Sequence, residues 1–151
     1  MEVFTSLLDH DSPIIRAKAA RDIMDLSVPL DGKNKACEVN TLPPLVALLG
    51  DASPEVRAKA AGAIMAITIT TQGKYKAIQA MAIPKLVNLV KDKTSEVRLN
   101  AIKAITTLSE APEGRKALLE NVATIEKRLD HESAAVVKAA QITVKVITWK
   151  P

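Results

Sequence analysis

Three arginines at one spacing, Arg16, Arg57 and Arg98, each 41 residues after the last, are the side chains best placed to bind an anion. A guanidinium offers a planar fork of donors, so a ladder of them would suit an acidic peptide or a row of phosphates. A structural reading competes with this and is the stronger one. Asp51 stands six residues before Arg57 and Asp92 six before Arg98, so a pairing of each arginine with its upstream carboxylate is expected, with Asp9 or Asp11 serving Arg16 in the same way. Gly32-Lys33, Gly73-Lys74 and Gly114-Arg115 resemble fragments of a phosphate loop, yet none has the G-x-x-x-x-G-K-S/T spacing that lets backbone amides surround a phosphate. They are expected as turns, with glycine supplying a left-handed or tight conformation. His10 and His131 fall in equivalent loops at opposite ends of the chain, with no Cys, His or carboxylate cluster around them, so a solvated loop histidine is expected at each. Cys37 aligns with Ile78 and Leu119 and reads as a small buried hydrophobe rather than a reactive thiol. No nucleophile has a base at a recognisable spacing and no cofactor fingerprint is present. The expectation is therefore no enzyme, with no catalytic, cofactor or metal site.

What these residues share is repetition. Arg16-Ala17-Lys18-Ala19-Ala20 recurs as Arg57-Ala58-Lys59-Ala60-Ala61, and Val56-Arg57 returns as Val97-Arg98. A helical period of this length marks a solenoid, whose units bury their apolar faces only against their neighbours. In the second unit the spacing predicts a short helix from about Pro43 to Leu49 and a long one from Pro54 to Thr70, with Gly73 to Ala80 opening the next unit. Val56, Ala60, Ala63, Ile64 and Ile67 share one helical face, and Val97, Ala101, Ala104, Ile105 and Leu108 copy them. Ser12, Ser53, Thr94 and Ser133 precede the long helices as N-caps, Pro13 and Pro54 follow at the first helical position, and Glu55 and Glu96 complement the helix dipole. One domain over residues 1–151 is expected, with units at 1–40, 41–81, 82–121 and 122–151.

Composition agrees with closely stacked helices. Of 151 residues 48% are apolar, yet only Phe4, Tyr75 and Trp149 are aromatic, so the core must be aliphatic and rich in alanine at the helix crossings. A formal charge of +4 permits an acidic partner, but the lack of aromatic platforms for bases makes nucleic acid an improbable one. The N-terminus lacks the pattern of a signal peptide, and the longest apolar stretch, Ala60 to Thr71, is too short to span a bilayer. A soluble protein in a reducing compartment is expected, with other proteins as partners, no small-molecule substrate and no membrane.

Two ends and one stripe depart from the average unit. Glu126 and Arg128 replace Val87 and Leu89 at an offset of 39 residues, the behaviour of a capping unit. Phe4, Leu7 and Leu8 match Leu45, Leu48 and Leu49 with nothing in front of them, so further repeats are expected upstream in a longer parent, and self-association through an apolar N-terminal face is expected of this chain. Ala58, Gly62 and Ala66 form a smooth stripe on the second long helix, bordered in adjoining units by Arg21, Asp25, Lys103 and Thr107. Either the seven form a shallow trough for a partner's backbone, or Gly62 relieves crowding between repeats; a glycine inside a helix costs about 1 kcal/mol and needs a packing reason.

The pattern L-x-x-L-L-x-D-x-S-P-E-V-R-x-x-A-A-x-A-I from Leu45 to Ile64 resembles an armadillo repeat with HEAT-like features, which implies a right-handed all-α superhelix. Armadillo proteins that grip extended peptides present ladders of Trp and Asn. The positions matching the Trp are Arg21, Gly62 and Lys103, and those matching the Asn are Asp25, Ala66 and Thr107, so that ladder is absent. The segments Ala60 to Met65, Thr70 to Tyr75 and Leu99 to Ala101, the turn Glu110 to Leu118 and the Lys150-Pro151 terminus resemble the C-terminal half of radial spoke head 14 homologs, armadillo-repeat proteins of the ciliary and flagellar axoneme. The resemblance implies a non-enzymatic spoke component that binds other spoke proteins and supports motility. A generic armadillo adaptor in cytosol or nucleus is the alternative expectation.

Overall fold

The computed structural model describes residues 1–127 and 132–151, and no strand occurs among them. The helices run α1 (Glu2–Ser6), α2 (Pro13–Leu26), α3 (Leu30–Glu38), α4 (Leu42–Leu48), α5 (Pro54–Ile67), α6 (Thr71–Gln79), α7 (Ala82–Leu89), α8 (Ser95–Ser109) and α9 (Pro112–Leu118). A 3₁₀ turn, Leu119–Asn121, then leads to α10 (Val122–Glu126) and α11 (Ala134–Ile147). The long helices α2, α5, α8 and α11 pack in series, each chiefly on the long helix before and after it, and the shorter helices pack behind them. The fold is an all-α solenoid.

Local chemistry starts the long helices where expected. The hydroxyls of Ser12, Ser53 and Ser133 accept from Ile15, Val56 and Val136 amides, satisfying donors that a helix start leaves open. Pro13 and Pro54 occupy the first helical positions. Thr94 departs from the expectation: it stands at the N-cap of α8, but its side chain makes no capping bond. Instead its amide donates to Asp92 Oδ1 at 2.9 Å, as the Ser53 amide does to Asp51.

The repeated face Val56, Ala60, Ala63, Ile64 and Ile67 is fully buried, and so is its copy from Val97 to Leu108. Each buried Val, Leu or Ile contributes roughly 1.5 to 3 kcal/mol, and much of that gain comes from packing on the neighbouring units. Cys37 is buried at 1% exposure, and burial pushes its thiol pKa up. At the N-terminal side, Leu8 is 1% exposed and Phe4 and Leu7 pack partly on the core. The apolar face expected around those three is therefore largely covered; Val3 and Ile14 are the exposed apolar residues nearby. At the other end Glu126 is exposed, while Ile125 beside it is buried; Arg128 lies outside the described residues.

The glycine expectation needs correcting. None of the glycines has a positive φ. Gly32, Gly73 and Gly114 lie inside α3, α6 and α9, and a Cβ on them would meet the carbonyl oxygens of Leu26, Ile67 and Leu108 at 1.6, 2.2 and 1.9 Å. They are glycine because each short helix starts against the backbone at the end of the preceding long helix. The left-handed conformations belong to Asn40 (φ 59°) and Met81 (φ 64°), equivalent residues just before α4 and α7.

Candidate protein-binding surface

The arginine ladder is occupied by the fold itself. Arg16 forks onto Asp51 through Nε and Nη2 at 2.9 and 3.3 Å, and Arg57 repeats this on Asp92 at 2.8 and 3.2 Å. Arg98 ends the series on Glu132 at 2.8 Å. The third nitrogen, Nη1, reaches back to the carbonyls of residues five and six positions earlier: His10 and Asp11, Asp51 and Ala52, Asp92 and Lys93. The expected pairing six residues upstream is thus made to the backbone, while the carboxylate comes from the next repeat. Asp9 and Asp11 carboxylates take no part in Arg16 binding. Partial burial pulls the Asp51 and Asp92 carboxyls upward, but the arginine fork and the Ser53 or Thr94 amide outweigh it and hold both below the usual aspartate range. With its donors committed in this way, the ladder is a staple between repeats rather than an anion site.

The Gly-Lys pairs have an equally local task. Lys33 Nζ donates to the Val28 carbonyl, Lys74 Nζ to Ile69 at 2.8 Å, and Arg115 Nη1 to Ser109 and Glu110 at 3.2 and 3.0 Å. The glycine brings the helix close and the next residue's cation satisfies carbonyls left open beyond the long helix. His10 is exposed and its Nδ1 accepts from the Ser12 amide, a loop-forming bond; His131 lies outside the described residues. Among the described residues no group of three or more His, Cys, Asp or Glu is arranged to hold a metal. No helix of the described residues is long and apolar enough to cross a membrane.

The seven stripe residues separate. Ala58 and Ala66 are 1% and 7% exposed and Gly62 is buried, because neighbouring repeats lean over them. A Cβ on Gly62 would lie 2.8 Å from Met24 Sδ and 3.6 Å from Asn100 Nδ2, and Asn100 donates to the Ala58 carbonyl at 3.0 Å. The packing reason for the glycine is therefore present in the two adjoining long helices. Arg21 and Asp25 are exposed on α2 and do not line the groove that holds Lys103 and Thr107.

Lys103 and Thr107 do enter a shared feature. With Met65, Leu99, Thr106, Ala135, Lys138, Ala139 and Ile142 they line a groove of about 390 Å³ formed chiefly by α8 and α11. Among the described residues no carboxylate lines it. Of its apolar residues Ile142 is 46% exposed, while Lys103 and Lys138 are exposed charges. The groove residues of α11 were missed in the sequence, although the 39-residue offset carries Lys103 directly onto Ile142 and Leu99 onto Lys138. Hydroxyl pairs stitch this region together, Thr68 to Thr107 at 2.6 Å and Thr106 to Thr143 at 2.5 Å.

Known proteins resemble this chain in fold and repeat. The family model for HEAT repeats matches residues 42–144. No curated protein matches. Among solved structures, an engineered protein superposes with a TM-score of 0.92 at 26% identity, over 97% of this chain and 61% of its own. A designed armadillo repeat protein gives 0.89 at 31% identity, over 96% and 63%. Another, in complex with the peptide (KR)4, gives the same figures. This chain therefore spans less than two thirds of the length of those structures. Stacked long helices, stapled repeats and an open groove make a scaffold suited to protein–protein interaction. On the match across most of its repeats, the chain belongs to the HEAT repeat family.

Proposed function

We propose that this protein is a non-enzymatic structural component of the axonemal radial spokes of cilia or flagella, holding other spoke proteins on the face of its long helices. The observation that carries the binding role is the open groove between α8 and α11, with no carboxylate among the described residues of its lining. The spoke assignment rests on the sequence resemblance, strongest in the turn from Glu110 to Leu118. Repeat packing accounts for Gly114, Arg115 and the buried Ala111 and Leu118 in that turn, leaving Glu110, Pro112, Glu113, Lys116 and Ala117 as the residues particular to it. Glu113 accepts from the Tyr75 hydroxyl at 2.8 Å, so the turn also braces α6.

A generic cytosolic or nuclear adaptor is the second reading, favoured by the designed armadillo neighbour whose partner is a peptide. The cationic rim here makes the basic peptide (KR)4 a poor ligand on charge grounds. Proximity labelling from a tagged chain in ciliated cells separates the two readings. Enrichment of radial spoke subunits with axonemal localisation is expected. A diffuse cytosolic or nuclear signal without spoke subunits would overturn the spoke assignment.

A further inference from the structure

The groove's chemistry narrows what it holds. Met65, Leu99, Ala139 and Ile142 supply apolar surface from three consecutive long helices, and Lys103 and Lys138 stand over it from two of them. Of the other cations on these helices, Lys59 pairs with Glu96, Arg57 with Asp92 and Arg98 with Glu132, while Lys145, near the end of α11, does not line the groove. Among the described residues Lys103 and Lys138 make no ion pair, and the groove lining offers them no carboxylate. An apolar segment entering this groove places its flanks beside two unmatched ammonium groups.

We propose that the groove between α8 and α11 binds a protein segment in which apolar side chains are flanked by aspartate or glutamate. The apolar residues seat on Ile142, Leu99 and Met65, and the carboxylates meet Lys103 and Lys138. Burial of the apolar side chains supplies most of the affinity, and the exposed charges supply selectivity and encounter rate. This proposal rests on the scaffold reading above and specifies the chemistry of one site on it.

The test uses the whole chain and a defined probe, a fluorescent peptide alternating leucine and glutamate, against the same peptide with lysine for glutamate. Anisotropy should report saturable binding of the acidic peptide, weakened as salt rises, and little binding of the basic one. The double variant Lys103→Glu with Lys138→Glu should lose about tenfold or more in affinity for the acidic peptide and gain affinity for the basic one. Ile142→Ser, which removes the apolar seat without adding charge, should weaken binding of the acidic peptide. All three positions are exposed, so an unchanged melting curve is expected and serves as the control for folding. Equal binding of the two peptides, or acidic-peptide binding that survives charge reversal in a folded variant, would overturn the proposal. Failure here with spoke subunits still enriched in cells leaves the spoke reading standing. Selective peptide binding without spoke subunits supports the groove and removes the spoke.

Discussion

At the residue scale, Gly62 and Ser27 are each understood through a neighbour in another repeat. Gly62 faces the flexible end of Met24 on one side and Asn100 on the other. Gly62→Ala should be close to neutral, since the roughly 1 kcal/mol gained in helix propensity offsets a small shift of the Met24 sulfur. Gly62→Leu should overpack both neighbours and destabilise by about 1 to 3 kcal/mol in urea unfolding. A Leu variant as stable as wild type would show that the stripe is more open than Met24 and Asn100 make it. Ser27 is fully buried, and its hydroxyl has no hydrogen-bond partner among the described residues. Thr68 holds the same place one repeat later, but it meets Thr107, whereas Ser27 has Ala66 at the corresponding offset. Ser27→Ala is therefore expected to be neutral or stabilising, and Thr68→Ala to lose about 1 kcal/mol. Thermal melts of the two variants side by side check this, and equal losses would count against the hydroxyl pairing.

At the element scale, the junctions between helices decide the geometry. Met81 sits in the left-handed region at φ 64°, exposed, in front of α7, where the equivalent residue of the preceding repeat is Asn40. A side chain in that conformation costs roughly 1 to 2 kcal/mol, less for asparagine, whose short amide bonds locally. Met81→Asn should raise the urea midpoint by up to about 1 kcal/mol in stability, and a lower midpoint would mean that the exposed methionine contributes packing. Helix starts were legible because Ser12, Ser53 and Ser133 act through their own backbone within one turn. The role of Gly73 was not, because what excludes a side chain there is the Ile67 carbonyl, a contact made only when α6 folds back against the end of α5.

At the scale of the whole molecule, the Arg–Asp series couples one repeat to the next and makes stability depend on acid. Asp51 and Asp92 have folded pKa values held below their unfolded ones. Their contribution is therefore fully present above the unfolded value, near 4, and is lost as pH falls through the lower folded values. The urea midpoint should fall on that acid limb. Arg57→Met should flatten it by releasing Asp92, while costing about 1 to 3 kcal/mol at neutral pH for the lost charge-assisted bonds. An unchanged acid limb in that variant would mean that the ladder does not carry the linkage.

The amino-acid sequence by itself determined the helical period, the buried faces from Val56 to Ile67 and from Val97 to Leu108, the burial of Cys37 and most of the N-caps. Each of these follows from apolar spacing or from bonds within a single turn, which a linear pattern records. Only the tertiary structure decided that Arg57 takes its carboxylate from Asp92 rather than Asp51, that Met24 and Asn100 close over Gly62, and that Lys103 and Lys138 stand over one groove. The repeat makes both partners of such pairs look alike in sequence. Which copy a side chain meets depends on how far each unit is offset along the stack, and that offset is set by the packing of one long helix on the next.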